Sequence, residues 1–202
     1  MKRFLTMAAA AFIAATTALA QGNGYDDTKH EVAVSYGALS NSQWIDILED
    51  VTITVFTGAH VTFDNERFRG PFSAEYFYRV KPWLGVGGIF TFGRNKRDMF
   101  SAGTKDGTLA HNYYTLLPAV KFDWLRKRYF GLYSKVGVGA TLRTETLDSD
   151  DPTVTSDNST LAHVNWQISL LGIEAGWPTI RGFVEVGTGE QGVFLAGLRY
   201  KF

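Results

Sequence analysis

The chain has 202 residues, with 20 Lys and Arg against 20 Asp and Glu, so its formal net charge is zero and gives no argument for a nucleic-acid partner. It contains no Cys, so no disulfide contributes. Its length fits one domain rather than two.

Residues 1–20 read as a secretory signal peptide. Met1-Lys2-Arg3 supplies the positive n-region, Phe4 to Leu19 an Ala-rich apolar stretch, and Ala18-Leu19-Ala20 the small-residue cleavage site before Gln21. The stretch is short for a spanning helix, and no Cys follows the cleavage site to be lipidated. No later segment reaches the roughly 18 uninterrupted apolar residues of a spanning helix. Residues 21–29 are expected to be a flexible leader, and residues 30–202 the folded domain.

From His30 the pattern is one of strands. His30 to Gly37 alternates Val32, Val34 and Tyr36 with Glu31, Ala33 and Ser35. A long excursion, Ala38 to Arg67, follows. Within it Ser42 can cap a short helix carrying Trp44, Ile45, Leu48 and Val51 on one face, placed to pack on the rim of the domain or to dip into a lipid leaflet. Strands Phe68–Val80 and Trp83–Gly93 meet at Lys81-Pro82, where Pro suits a turn and not a central strand. Arg94 to His111 reads as a polar loop. Strands Asn112–Trp124 and Tyr129–Arg143 flank the basic turn Leu125-Arg126-Lys127-Arg128, and Thr144 to Ala162 is an acidic, Ser/Thr-rich loop. His163–Ala175 and Arg181–Gly187 are joined across Trp177-Pro178. Thr188 to Gly192 turns into the last strand, where Phe194, Ala196, Leu198, Tyr200 and Phe202 alternate to the end of the chain.

Eight strands with connections that alternate long and short predict an antiparallel up-and-down β-barrel. A soluble lipocalin-type barrel has the same strand count, so the faces must decide. One parity is apolar throughout, as in Tyr76, Tyr78 and Val80, in Leu116, Val120 and Phe122, and in Val164, Trp166 and Ile168. The other carries Glu31, Glu75, Arg79, Lys121, Asp123, Lys135, Arg143, Glu185, Arg199 and Lys201, joined by Glu174 if a bulge falls near Leu171. Aromatics gather toward strand ends (Tyr78, Trp83, Phe92, Trp124, Tyr129, Tyr200), as interfacial girdles require. This arrangement suits a transmembrane barrel whose charges pair inside it. Gly85, Gly87, Gly137 and Gly139 share the inward parity and leave room for long side chains. An eight-stranded barrel is only wide enough to hold side chains, so no wide channel is expected.

With its strands placed, the chain resembles the small outer-membrane β-barrel proteins common in Bacteroidetes, related in architecture to OmpA- and OmpX-type barrels. The resemblance rests on residues 30–37, 113–124 and 129–140 and on the final strand with its terminal Phe202. It implies residence in the cell outer membrane with both termini periplasmic, outer-membrane lipid and lipopolysaccharide as surroundings, and recognition of the C-terminal strand by the barrel-assembly machinery. It also implies a monomer with a structural or surface-interaction role, and no particular activity.

Catalytic, cofactor and metal sites are each expected to be absent. Some small outer-membrane barrels modify lipid A, and the nearest match to a deacylase site is His163 with Asn165 and, farther along, Glu174. Asn165 has no nucleophilic hydroxyl, and Ser169 lies about 20 Å along an extended strand from His163. The acidic run Asp148-Ser149-Asp150-Asp151, with Asp157, could offer hard oxygen ligands but lacks an ordered loop motif. Arg94, Lys96 and Arg97 could sit against lipopolysaccharide phosphates. Gly85-Val86-Gly87-Gly88 lies mid-strand and is no nucleotide loop. The sequence is read as that of a non-enzymatic outer-membrane barrel. The alternatives are a soluble binder of an apolar ligand, a lipid A-modifying enzyme and a narrow pore.

Overall fold

The computed structural model describes residues 28–42, 62–101, 104–149 and 158–202. Eight strands follow one another around a closed antiparallel barrel: β1 (His30–Ala38), β2 (Thr62–Lys81), β3 (Leu84–Ser101), β4 (Thr104–Arg126), β5 (Phe130–Ser149), β6 (Asn158–Gly176), β7 (Ile180–Gly189) and β8 (Phe194–Lys201). Each strand pairs with its chain neighbour. β8 returns to β1 through pairs running from Glu31 with Lys201 to Ala38 with Phe194. Beyond the ladder, the His30 and Phe202 backbones bond to each other in both directions, at 2.9 Å each. Closure leaves no strand edge in the ring, which is what a sheet in hydrocarbon needs because lipid cannot satisfy free N–H and C=O groups.

The long connections expected from the sequence are shorter than their composition implies. The polar stretch 94–111 is two paired strand ends, with Arg94 opposite Asn112 and Ser101 opposite Thr104. Likewise β2 begins at Thr62, β5 runs on to Ser149 and β6 begins at Asn158. Polar sequence there is compatible with a strand whose two faces both leave the apolar layer, so the hydrophobic alternation that marks a spanning strand fades while the ladder continues. The signal peptide, residues 21–27 of the leader, the proposed helix from Trp44 to Val51 and the acidic residues 150–157 lie outside the described residues.

Polarity is inverted relative to a soluble barrel. Val34, Leu116, Val138, Val164, Leu170 and Leu198 are exposed, and Val164 retains 78% of its accessible surface. Exposed large apolar side chains outnumber buried ones, far beyond the small patches of a water-soluble monomer. The aromatics form two rows. Tyr36, Phe72, Phe92 and Tyr114 lie in register across β1 to β4, with ring centroids 4.9 Å apart in the first pair and 5.2 Å in the last. At the end that carries the termini, His30, Tyr78, Tyr200 and Phe202 cluster, and Trp83 stacks on Phe122. From Tyr114 to Trp124 is about 33 Å of strand, or about 25 Å of height at a tilt near 40°, the thickness of an outer-membrane apolar band. The alternative with its apolar parity turned inward is overturned.

The bulge that the sequence made conditional is present. Register shifts between Ser169 and Leu171 on β6, leaving Leu170 and Leu171 both exposed and returning Gly172 and Glu174 to the interior. A second shift, between Asp123 and Leu125, brings Arg126 inside at the end of β4, whereas the sequence places it in the basic turn after that strand. A bulge reverses the parity of everything beyond it, and these two turn Glu174 and Arg126 inward.

Candidate functional site

The barrel interior concentrates the chemistry of the described residues, and it is built in three levels. Nearest the termini, Lys121 donates to Glu31 at 2.6 Å and lies 3.5 Å from Asp123. Arg79 reaches Asp123 at 3.3 Å and Glu31 at 3.6 Å. Arg79 also donates to the Thr28 carbonyl, and Arg126 to that of Pro82 at 3.0 Å, so the stretch just before β1 and the β2–β3 turn are tied to the same layer.

The middle level turns on Glu174 and Arg199. Glu174 accepts from Arg181 at 2.6 Å, from Arg199 at 2.5 Å and from Lys201. The Arg199 guanidinium lies between the rings of Tyr133 and Phe183, 4.5 Å from each centroid, where it gains cation–π attraction on both faces. The Tyr133 hydroxyl and the Ser169 hydroxyl each donate to Glu185 at 2.6 Å. Lys135 bridges Glu185, at 2.9 Å, and Glu75. Buried charges are tolerable only when paired and hydrogen-bonded, and each of these carboxylates has more than one donor. Small residues make the room: a Cβ on Gly172 would stand 2.4 Å from the Tyr133 ring, and one on Gly131 2.8 Å from Glu174.

The walls at this depth are not uniformly charged. Phe77, Ile89, Leu117 and Ala119 form a small apolar core on the β2–β4 side. The parity reading of the sequence, which emphasised charges with Gly, Ser and Thr, did not single out these inward hydrophobes.

The upper level has a different chemistry. Glu190, in the β7–β8 turn between Gly189 and Gly192, is folded into the barrel mouth and buried. Both glycines have positive φ, of 134° and 105°, and a Cβ there would meet backbone oxygens at 2.4 and 2.3 Å, so the turn cannot be made with other residues. Ser42 donates its hydroxyl to Glu190 at 2.6 Å and its N–H at 3.2 Å, and the Asn165 amide donates at 2.8 Å. Asn41 in turn donates to Asn165 at 2.9 Å. The first residues after β1 are thereby drawn into the mouth. Burial pushes the Glu190 carboxyl above its ordinary value, against the hydrogen bonds from Ser42, Asn165 and Thr115 that favour the anion.

The residues weighed for catalysis are not brought together. His163 pairs across from Thr141 at the outer end of β6, Asn165 is engaged by Thr141 and Glu190, Ser169 serves Glu185, and Glu174 is held by three cations toward the opposite end of the strand. Asp148 and Lys96 with Arg97 are strand residues by their backbones, and Arg94 is exposed. Among the described residues no group of three or more His, Cys, Asp or Glu side chains is placed to hold a metal ion. The burial of Glu190, and its engagement by Ser42 and Asn165, were missed from the sequence. The available signal was a Glu-Gln pair between two glycines in the shortest connection at that end.

A closed ring of eight antiparallel strands, apolar and girdled outside and ion-paired within, defines the small transmembrane β-barrels of the outer-membrane type. No family model matches the chain, and no curated protein does. Among solved structures it is similar to Ail, the attachment invasion locus protein of Yersinia pestis. The crystal structure in complex with the heparin analogue sucrose octasulfate matches at 15% identity over 86% of this chain and 99% of that one, with a TM-score of 0.46. A second crystal structure of Ail matches at 13% identity over 87% and 97%, with a TM-score of 0.44. The backbone structure of Ail in a phospholipid bilayer nanodisc matches at 15% identity over 87% and 100%, with a TM-score of 0.37. The similarity is distant in both sequence and coordinates.

Proposed function

We propose that the protein is an integral, monomeric outer-membrane barrel with both termini periplasmic, no catalytic activity and no wide pore, serving a structural or surface-interaction role. The observation that carries this reading is the inversion of polarity: an apolar belt between two aromatic rows surrounds a lumen occupied by paired charges and by the Phe77, Ile89 and Leu117 core. Side chains that fill the lumen leave it no continuous water path of porin width. Strands β2 to β6 extend well past the row of Tyr36, Phe72, Phe92 and Tyr114, whereas β1, β7 and β8 end near it. That five-stranded projection supports a surface-interaction role, because among the described residues its outer edges on β2 and β6 have no neighbouring strand there.

The test is to refold the protein without its signal peptide in detergent, compare unboiled and boiled electrophoretic mobility, and record conductance in planar bilayers. The unboiled form should migrate faster, and conductance should stay at the level of the lipid alone. Solubility without detergent would remove the membrane reading, and porin-sized conductance steps would remove the filled lumen.

A further inference from the structure

The short turns at the end where β1 begins and β8 ends are basic. The turns at the end of the termini, 81–83, 126–129 and 177–179, contain Lys81, Arg126, Lys127 and Arg128, with no Asp or Glu. Two of those turns are neighbours: Arg126 bonds the Pro82 carbonyl at 3.0 Å, and Asp123 N–H donates to the Trp83 carbonyl at 2.9 Å.

The bases are set at the depth of the aromatic girdle. The Lys81 ammonium lies 5.7 Å from the Trp83 ring centroid and the Arg128 guanidinium 5.5 Å from that of Tyr129, both rings being about half exposed. From inside, buried Arg181 donates to the Lys127 and Arg128 carbonyls at 3.0 Å each, which anchors the turn backbone while the Arg128 side chain stays exposed. The nearest acid of the same wall, Asp123, is buried and engaged by Arg79. The C-terminal residue is held at the β1–β8 seam. Among the described residues no carboxylate pairs with Lys81, Lys127 or Arg128.

We propose that the rim formed by the β2–β3 and β4–β5 turns binds the headgroups of anionic phospholipids in the leaflet on the side of the termini, with Lys81, Lys127 and Arg128 as phosphate partners. This rests on the membrane reading above. Trp and Tyr rings sit at headgroup level, and Lys and Arg there pair with phosphate and respond to the net charge that distinguishes an anionic from a zwitterionic lipid. Each base contributes up to about a five-fold preference at low ionic strength, and the preference is screened by salt.

The experiment is native mass spectrometry of the refolded protein taken from mixed micelles that contain phosphatidylglycerol and phosphatidylethanolamine with identical acyl chains. The wild type should retain phosphatidylglycerol preferentially, by roughly ten-fold or more, with the preference collapsing on raising NaCl from low millimolar to half molar. The triple variant Lys81→Gln, Lys127→Gln, Arg128→Gln should lose it. Equal retention of the two lipids by the wild type, a salt-insensitive preference, or an unchanged preference in the triple variant would overturn the proposal. Heat-modifiable mobility measured on the same samples separates the two readings. A preserved shift without preference sinks the headgroup site alone, whereas no shift sinks the membrane barrel and the site together.

Discussion

Two acid systems share one lumen and are stabilised in opposite ways. Glu174, at the middle level, is held by Arg181, Arg199 and Lys201 on the strands that face it. Glu190, at the mouth, is held by the neutral donors of Ser42, Asn165 and Thr115. The first arrangement repays desolvation with charge, and it makes β5 to β8 and β1 interdependent. The second repays only part of it, which makes the mouth the softer end and couples it to the segment after β1. A filled barrel can therefore be rigid at one level and adjustable at another without any change in its ladder.

The largest effect should come from Glu174→Gln, which leaves Arg181, Arg199 and Lys201 without their shared anion and removes the ion pair with Lys121 at 3.8 Å. Losing one partner of a buried ionic network costs about 3–5 kcal/mol, and urea unfolding in lipid vesicles should show a loss of that order. Gly172→Ala sharpens the comparison by disturbing the same level through shape alone. The new methyl would be driven into the Tyr133 ring, whose hydroxyl holds Glu185. Overpacking of this kind costs about 1–3 kcal/mol, measured in the same unfolding assay.

Glu190→Gln should be the mildest, about 1 kcal/mol at neutral pH, since an amide can keep accepting from Ser42 and Asn165. Its diagnostic is pH. A carboxyl raised in the folded state above its ordinary value of 4.5 binds more protons folded than unfolded. Its contribution to stability is therefore present below 4.5 and declines as pH rises through the raised value. Wild-type stability measured from pH 4 to pH 8 should carry a downward component that the Gln variant lacks. If the two profiles were parallel, the contrast between the levels would be wrong.

The strand count and the two faces were legible because spanning strands must alternate at period two wherever lipid lies on one side. Hairpin ends were legible where Pro marks them, at Pro82 and Pro178. The outer strand ends were not. From 94 to 111 both faces of the hairpin leave the apolar layer, so sequence that forms a ladder there looks like a loop. Arg126 was misplaced because a bulge at the end of β4 has no composition of its own. Glu190 escaped notice because a carboxylate between glycines ordinarily faces water, and only the inward fold of the β7–β8 turn buries it. In each case the missing information is three-dimensional closure, which no local period records.

The most direct test of the inverted barrel uses the absence of native Cys. Nitroxide labels placed singly at Ile168, Leu170, Leu171 and Ile173 in bilayer-reconstituted protein can be probed with oxygen, which concentrates in lipid, and with a water-soluble nickel complex. Because Leu170 and Leu171 both face outward across the bulge, all four labels should collide strongly with oxygen and weakly with nickel. Shielding at 171 and 173 alongside exposure at 168 and 170 would contradict the bulge. It would also turn Glu174 out of the lumen and dismantle the ion-paired interior on which the account depends.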